Sequence, residues 1–452
     1  MFNDTITAIS TKLGNSAISI IRVSGKDSIS LVNTIFRGKD LTKVDSHTIN
    51  YGYINDGKED IDEVLVSIMK SPRTYTKEDI VEINCHGGVS PTLKIFELLQ
   101  EKGARKAEPG EFTKRAFLNG RIDLTEAEAV MDMINSKTDR SRKEALSGIE
   151  GNLRKYITTF RNKLKHIIAN IEVNIDYPEY YDIEEITKED IKKVIEELEI
   201  DLKELIKKSE ERQIIKNGIK TVIIGRPNVG KSSILNTLLK EDKAIVTDIE
   251  GTTRDIVEGS IIFDGIELSL IDTAGIRETD NIVEKIGVEK SLSLIDDANL
   301  IIVVLNGNEK LTENDVYILD KVKDKNPIIV LNKNDLEQKI DLKDYKFKHI
   351  VSTNTKEING IDSLKEEIKK MFKLNEIEED DYTYLTNDRQ LFYAKKALNN
   401  LKDAKTSFNN DEPVDIIEID LKSVFENLGN ITGENYSEEL LDELFANFCV
   451  GK

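Results

Sequence analysis

The sequence predicts a multidomain fold that combines α/β and all-α domains, with one domain inserted into another. Its 452 residues suffice for about three domains, each with a core of its own. Strand-like apolar runs dominate before position 121, and strands alternate with helical segments between positions 215 and 374. Helical periodicity fills the chain on both sides of that alternation, which indicates two halves of one helical domain interrupted by an insertion.

The first predicted domain, residues 1–121, is α+β. Its apolar runs are short and are separated by Gly, Asp and Asn clusters, the pattern of strands joined by turns. The strand-like runs are Ala17–Val23, Ile61–Met69 and Ile80–Cys85, and the helical periods are Ser28–Phe36 and Pro91–Glu101.

The helical domain is predicted from residues 122–214 and 375–452, and the second piece begins with the acidic segment Glu376–Asp381. In the first piece, apolar residues recur with the 4-3-4-3 spacing of a long amphipathic helix. These residues are Ile191, Ile195, Leu198, Leu202 and Leu205. Residues 215–374 form the inserted domain, in which each apolar strand precedes a loop and a helix, as in a mostly parallel sheet.

The composition and charge exclude several classes of protein. With 64 Lys and Arg against 84 Asp and Glu, the formal net charge is −20, which argues against a general nucleic-acid binder but leaves room for a local basic patch. We expect a cytoplasmic protein without membrane segments, because the apolar run Leu300–Leu305 is far too short to cross a bilayer and the N-terminal residues do not resemble a signal peptide. Two cysteines, Cys85 and Cys449, are too few for a disulfide framework.

A phosphate-binding loop is predicted at Gly225-Arg-Pro-Asn-Val-Gly-Lys-Ser232, which fits G-x-x-x-x-G-K-[ST] between an apolar strand and a helical segment. The glycines let backbone N–H groups point at phosphate, and the N-terminus of the helix adds its positive dipole end. Lys231 would reach the β- and γ-phosphates, and the Ser232 hydroxyl would bind magnesium.

Four further motifs follow in the order of a GTPase. Asp272-Thr-Ala-Gly275 can hold magnesium through water and meet the γ-phosphate, and Gly251-Thr-Thr-Arg-Asp255 offers Thr253 as the second magnesium ligand. Asp335 in Asn332-Lys-Asn-Asp335 can accept two hydrogen bonds from the guanine edge, so the nucleotide is GTP rather than ATP. Ser352-Thr-Asn354 supplies the loop near the guanine carbonyl. The predicted GTP-binding residues are Asn228, Val229, Gly230, Lys231, Ser232, Ser233, Thr247, Asp248, Ile249, Glu250, Gly251, Thr252, Thr253, Asp272, Thr273, Ala274, Gly275, Asn332, Lys333, Asp335, Ser352, Thr353 and Asn354.

The inserted domain is thus a P-loop, Ras-like GTPase domain, but it departs from the small signalling GTPases at Ile276, where those proteins carry a glutamine that orients water. With its flanking stretches, the chain resembles the MnmE (TrmE) family of tRNA-modification GTPases, which belong to the translation-factor-related GTPases. Besides the GTPase motifs, the matching stretches are Asp4–Ala8, Ile20–Gly25, Pro109–Asn119, Ile122–Ala129 and Cys449–Lys452.

The resemblance implies a potassium ion at the phosphates in place of an arginine finger, with G domains that dimerise across it. Its ligands would be Asn228, Thr247, Ile249 and Thr252, and a cation there would neutralise charge that develops in the transition state. The resemblance also assigns Glu284 as the acid that orients the hydrolytic water. The predicted catalytic residues are Glu284, Lys231, Arg254 and Cys449.

The resemblance further implies that the N-terminal domain dimerises and holds 5-formyltetrahydrofolate or a related tetrahydrofolate. Arg22, Glu82, Arg121 and Lys452 match that binding set. A carboxylate can pair with the amidine-like edge of a pterin, and arginines suit the glutamate tail. Whether Cys449 is catalytic or only packs in the structure is left open by the sequence.

The implied function is potassium-activated GTP hydrolysis together with an FAD-dependent MnmG-type partner in a heterotetramer. The complex would add a carboxymethylaminomethyl group to carbon 5 of the wobble uridine of certain tRNAs, with a tetrahydrofolate as one-carbon donor. The tRNA would be held mainly by the partner. Two alternatives are a GTP-switch protein in ribosome assembly and a folate-dependent one-carbon transferase that GTP regulates.

Overall fold

The computed structural model describes residues 4–176, 188–241, 243–245, 257–271, 295–374 and 383–451. The chain forms two compact units. Unit 1 draws on Met1–Met131, Gly148–Lys203 and Asp388–Lys452, and unit 2 on Asp132–Ser147 and Glu204–Asn387. Helical segments from both flanks of the insertion thus share one unit, and the predicted combination of α/β and all-α structure is confirmed. Residues 132–147 and 204–214, assigned to the helical domain by sequence, lie in unit 2, and the domain boundaries remain a prediction.

An N-terminal sheet in unit 1 has the strand order β3-β4-β5-β6-β2-β1-β7, in which only β1 and β7 pair in parallel. Its strands are β1 (Ile6–Ile9), β2 (Ile18–Ser24), β3 (Phe36–Arg37), β4 (Thr48–Asn55), β5 (Asp60–Met69), β6 (Ile80–His86) and β7 (Arg105–Lys106). Helices α1 (Ser28–Asn33) and α2 (Val89–Glu101) contribute to the core on one face. The predicted strands and helices are confirmed to within a few residues.

The other described helices that flank the inserted domain in sequence lie mostly in unit 1. They are α3 (Glu111–Leu118), α4 (Leu124–Asn135), α5 (Asp139–Ile149), α6 (Asn152–Asp176), α7 (Lys188–Asn217) and, after the insertion, α11 (Asp388–Asn409), α12 (Val414–Thr432) and α13 (Glu438–Ala446). Helices α4 and α7 extend into unit 2, and α5 lies in unit 2 except for its last two residues. The 4-3-4-3 row of α7 is buried at every position, as the periodicity predicts. Helix α13 packs against α3 and α4 through Phe445, Phe117 and Leu124.

The sheet of unit 2 has the order β14-β13-β12-β8-β11-β10-β9, and the strands from β14 to β11 are parallel. They are β8 (Ile219–Ile224), β9 (Lys243–Ile245), β10 (Val257–Phe263), β11 (Ile266–Ile271), β12 (Leu300–Asn306), β13 (Ile328–Asn332) and β14 (His349–Thr353). Helices α8 (Lys231–Glu241) and α10 (Asp362–Met371) cover one face, and α9 (Glu313–Val322) covers the other. Strand β12 is buried along its whole length because helices cover both faces.

Among the described residues, no helix is both long enough and apolar enough to cross a membrane.

Candidate functional site

The phosphate loop joins β8 to α8, and helix α8 begins at Lys231. Gly230 has φ +105°, and a Cβ there would lie 2.0 Å from Asn332 Nδ2. A Cβ on Gly225 would lie 2.4 Å from the Val304 carbonyl oxygen. Both positions therefore require glycine, because a side chain would push the loop away from the neighbouring strand ends. Asn228 adopts φ 60°, a left-handed conformation that asparagine tolerates better than most residues.

Lys231 folds its side chain back over this loop. Its Nζ donates to the carbonyl oxygens of Gly225 and Arg226, at 2.7 and 2.9 Å. Ser232 and Ser233 follow in the first turn of α8, where helix N–H groups have no partner within the helix. The loop, the ammonium and this helix end supply the donors and positive charge that bind a polyphosphate, and the Ser232 hydroxyl suits magnesium.

Asn332 connects three of the predicted motifs. Its Nδ2 donates to the Val229 carbonyl at 2.9 Å, and its Oδ1 accepts a hydrogen bond from Thr353 Oγ1 at 3.2 Å. Asn332 and Thr353 are both buried at the ends of adjacent parallel strands. The structure thereby brings the phosphate loop, Asn332–Asp335 and Ser352–Asn354 together at one edge of the sheet, the edge where open α/β folds bind ligands.

The predicted base-recognition residues lie in two loops beyond this edge. Asp335 is partly exposed, and Lys356 Nζ lies 3.0 Å from its Oδ2. Lys333 adopts φ 64°. The Asn354 N–H donates to the Gly360 carbonyl at 2.9 Å, and its Nδ2 donates to Glu357. Lys356 and Glu357, which contact Asp335 and Asn354, are not among the predicted GTP-binding residues, and no pattern in the sequence signals these contacts.

Arg226 is a further residue that the motif did not identify. Its Nε lies 3.3 Å from Asp315 Oδ2, and its guanidinium also pairs with Glu309. Asp315 is buried and forms a capping box with Thr312 at the start of α9. Arg226 therefore anchors the phosphate loop to α9, which lies far away in sequence.

Several predicted nucleotide-site residues lie outside the described residues. They are Thr247, Asp248, Ile249, Glu250, Gly251, Thr252, Thr253, Arg254, Asp272, Thr273, Ala274, Gly275 and Glu284. Lys452 of the predicted folate set lies outside them as well.

A second group of predicted residues meets in unit 1. Arg22 on β2 and Glu82 on β6 are paired across the strands, and Glu82 Oε1 lies 2.9 and 2.8 Å from Arg22 Nε and Nη2. Arg22 Nη1 also donates to the Gly451 carbonyl at 2.8 Å. The sheet thus places Arg22 and Glu82 together and adds the C-terminal tail to them.

Arg121 joins this group through Tyr75, which sequence reasoning missed. The Arg121 guanidinium lies 4.8 Å from the centre of the Tyr75 ring, and the Tyr75 hydroxyl is 2.9 Å from Thr113 Oγ1. Burial raises the pKa of Tyr75, and the positive charges of Arg121 and Arg22 oppose this shift. Two arginines, a carboxylate and an aromatic ring are suited to a planar anionic ligand.

The tail that carries Cys449 packs on the N-terminal segment of the same unit. The Gly110 N–H donates to the Cys449 carbonyl at 3.2 Å, and Ser10 Oγ donates to the Gly451 carbonyl at 3.3 Å. Gly110 has φ +64°, and a Cβ there would come within 2.7 Å of Phe448 Cβ. The Cys449 thiol is exposed, whereas Cys85 is buried and burial raises its pKa.

Comparison with known proteins identifies the family. The family described as MnmE helical domain matches residues 124–449, and GTP-binding protein TrmE N-terminus matches residues 5–121. The tRNA modification GTPase MnmE of Streptococcus thermophilus is 49% identical over 99% of this chain and 98% of its own, and that of Bacillus cytotoxicus is 48% identical over 99% of both. Among solved structures, the G domain of the T. maritima FeoB iron transporter is 27% identical over 34% of this chain and 97% of its own, with a TM-score of 0.24. The chain therefore belongs to the MnmE family of tRNA modification GTPases and is a GTP-hydrolysing enzyme.

Proposed function

We propose that this chain couples GTP hydrolysis in unit 2 to the addition of a carboxymethylaminomethyl group to carbon 5 of the wobble uridine of certain tRNAs. The observation that carries the proposal is the Asn332 side chain, which joins the phosphate loop to both base-recognition loops. A tetrahydrofolate donor, an FAD-containing MnmG-type partner and a potassium ion complete the proposed system.

At the phosphates, Lys231 would move from the loop carbonyls to the β- and γ-phosphates of bound GTP. Its charge and the N–H groups of the loop would then stabilise negative charge as the terminal phosphate leaves. Ser232 and Thr253 would hold magnesium, which neutralises phosphate charge when bound. Asp335 would exchange its contact with Lys356 for the guanine edge.

The potassium proposal rests on membership of the MnmE family and on the position of Asn228 within the phosphate loop. Asn228, Thr247, Ile249 and Thr252 would hold the ion, Arg254 would lie in the same catalytic segment, and Glu284 would orient water. GTP turnover should be much faster in potassium than in sodium at equal ionic strength. Equal rates in potassium and sodium would contradict the proposed potassium site.

For the one-carbon ligand, Glu82 would pair with the pterin edge, and Arg22, Arg121 and Lys452 would receive the anionic tail. The support is that Arg22 contacts both Glu82 and the tail residue that precedes Lys452. The donor set is chemically suited to a tetrahydrofolate. Cys449 lies on the same tail, and its exposed thiol is available for a role in catalysis.

A homodimer through the N-terminal sheet is also proposed. The sheet face opposite α1 and α2 exposes large apolar side chains on β2, β4 and β5, namely Ile18, Ile49, Tyr51 and Leu65. Exposed apolar side chains grouped on one face of a sheet are typical of a protein interface. Leu65→Lys should give a monomer by light scattering, whereas Glu59→Gln at an exposed turn should leave the dimer intact.

The location of this activity would be the cytoplasm, and the partner would supply most of the tRNA contacts. The net charge of −20 supports that division, because phosphate backbones favour basic surfaces.

Nucleoside analysis of tRNA tests the whole proposal. Cells that lack the protein should lose the wobble-uridine modification, and the wild-type chain should restore it. Normal modification without the protein would refute the proposal and favour a ribosome-assembly or purely folate-dependent role.

A further inference from the structure

A cavity of about 230 Å³ that is lined mostly by polar residues lies within unit 2, and none of its lining residues belongs to the phosphate loop or to the base-recognition motifs. It is formed where three chain segments meet: the region of α4 and α5, the end of α7, and residues 383–387. The end of α7 leads into β8, and residues 383–387 lead into α11. The cavity therefore lies at the point where the chain enters and leaves the GTPase domain.

Glu144 on α5 is the buried acid of this cavity. It is 5% exposed, and one of its oxygens is hydrogen-bonded by the Tyr384 hydroxyl. The other oxygen, Oε1, is buried and has no hydrogen-bond partner within the described part of the chain. Burial raises the pKa of Glu144 to about 7, and burial together with the Glu144 charge raises the pKa of Tyr384, which stays protonated.

Charged groups on α4, α5 and α7 act on this pair, and residues 383–387 add none. Arg140 on α5 and Arg212 on α7 favour the ionised carboxylate, and Asp132 at the end of α4 opposes it. Lys216 Nζ lies 2.7 Å from Asp132, so that positive charge is already paired. The Arg212 guanidinium lies 5.1 Å from the centre of the Tyr384 ring. These groups do not supply the partner that Oε1 lacks.

Two further contacts extend the cluster. The Leu385 N–H donates to Ser209 Oγ at 2.9 Å, which ties the return segment to α7. Lys137, in the turn between α4 and α5, lies 2.8 Å from Glu267 Oε1 on β11. Strand β11 ends at Ile271, immediately before the nucleotide motif that begins at Asp272. The segment that carries Glu144 is thus tied to the strand that leads into the nucleotide site.

We propose that Glu144 and Tyr384 form a proton-linked latch at the base of the GTPase domain, which holds α5, the end of α7 and residues 383–387 together and influences GTP turnover through β11. A neutral Glu144 fits its buried position beside Tyr384, and an ionised Glu144 favours an open junction that admits water. This inference requires only that the chain hydrolyses GTP. Its test therefore does not depend on the tRNA and folate proposals.

The sign of the pH effect follows from the raised pKa. The closed latch binds a proton more tightly than the open one, whose carboxyl has an ordinary pKa near 4.5. Opening therefore becomes about tenfold easier for each pH unit between about pH 5 and pH 6.5, and it levels off above pH 7. Glu144→Gln keeps the acceptor for Tyr384 but cannot ionise, so its opening should not depend on pH.

Hydrogen exchange of the full chain, followed by mass spectrometry and corrected for intrinsic exchange rates, tests the latch at residues 383–387 and 209–217. In the wild type, opening of these segments should rise by tens-fold between pH 5 and pH 7. Glu144→Gln should match the wild type at pH 5 and remain closed at pH 7. The same pH step in Glu144→Gln, or no step in the wild type, would overturn the proposal.

GTP turnover at saturating GTP gives the second readout. The ratio of turnover in Glu144→Gln to that in the wild type should change between pH 5.5 and pH 7 and be constant above pH 7.5. A ratio that is constant over the whole range would overturn the link to hydrolysis.

Tyr384→Phe should open the junction at every pH, and it keeps the test decisive if Glu144→Gln folds poorly. Glu150→Gln, which removes an exposed carboxylate one residue after α5, is the matched control and should behave as the wild type.

Discussion

The phosphate loop of unit 2 and the charged group of unit 1 are built in opposite ways. The loop consists of eight consecutive residues, and its backbone N–H groups are the predicted donors to phosphate. A side chain on Gly225 or Gly230 would clash with neighbouring atoms. The unit 1 group uses side chains from separate strands and loops, and its contact between Arg22 and Gly451 joins residues 429 positions apart. A site made from local backbone is visible in a sequence motif, whereas a site made from distant side chains is visible only after folding.

The difference also predicts how each site responds to change. In the loop, a single added carbon or a lost ammonium would disturb all of the proposed phosphate contacts. In the unit 1 group, the hydrogen bonds are shared among several side chains, so one conservative substitution would remove only part of the proposed binding free energy.

The largest effect is expected for Lys231→Ala. Removal of the ammonium takes away a charge that stabilises the transition state, and GTP turnover should fall by roughly 10²- to 10³-fold. Phosphate release measures this loss. Lys343→Ala, which removes an exposed lysine from the same unit, is the control and should leave turnover unchanged.

Gly230→Ala should come next. The new Cβ would meet Asn332 Nδ2 at a φ that disfavours L-residues, and strain of roughly 1–3 kcal/mol should lower GTP affinity by about 5- to 150-fold. Titration with a fluorescent GTP analogue measures the affinity. Gly259→Ala, where no atom lies within 4 Å of the added carbon, should bind as the wild type does, and equal affinities for the two variants would contradict the account.

Glu82→Gln should have a moderate effect on the other site. It keeps the shape of the side chain but removes the charge that faces Arg22, and 5-formyltetrahydrofolate should bind about tenfold more weakly. Calorimetric titration measures this affinity, with Glu59→Gln as the control. Unchanged binding in Glu82→Gln would remove the carboxylate from the ligand site.

Tyr75→Phe should have the smallest effect. The ring beneath Arg121 remains, and only the hydrogen bond to Thr113 is lost, so folate affinity should fall by no more than about fivefold. The same titration detects the change, and Tyr317→Phe, at an exposed position of α9 in unit 2, provides the control. A loss greater than that of Glu82→Gln would reverse the order of importance proposed for this site.

Local patterns in the sequence predicted much of the fold. Strand β8, the glycine loop and the start of α8 follow from one motif, and the spacing from Ile191 to Leu205 predicted the buried face of α7. Arg115 shows where such reasoning stops. Its charge alone favours exposure, yet it is fully buried. Glu111 pairs with it from one turn earlier on α3, whereas its other two partners, Asp4 and Glu78, come from distant parts of the chain.

The functional residues show the same limit. The motif predicted Asn332 as a nucleotide contact but not its bonds to Val229 and Thr353, because those partners meet only at the edge of the folded sheet. Tyr75 carries no motif at all. The residues of the unit 1 group were predicted from family resemblance, since no spacing along the chain indicates that Arg22, Glu82 and Arg121 would meet.

The central claim is that these two differently built sites serve one tRNA modification. Its most direct test is nucleoside mass spectrometry of tRNA from cells that lack the protein and carry, side by side, the wild type, Lys231→Ala or Glu82→Gln at equal protein levels. We expect the wild type to restore the wobble-uridine modification, Lys231→Ala to abolish it and Glu82→Gln to reduce it when folate is limiting. Full modification with Lys231→Ala, or with Glu82→Gln under folate limitation, would contradict the claim.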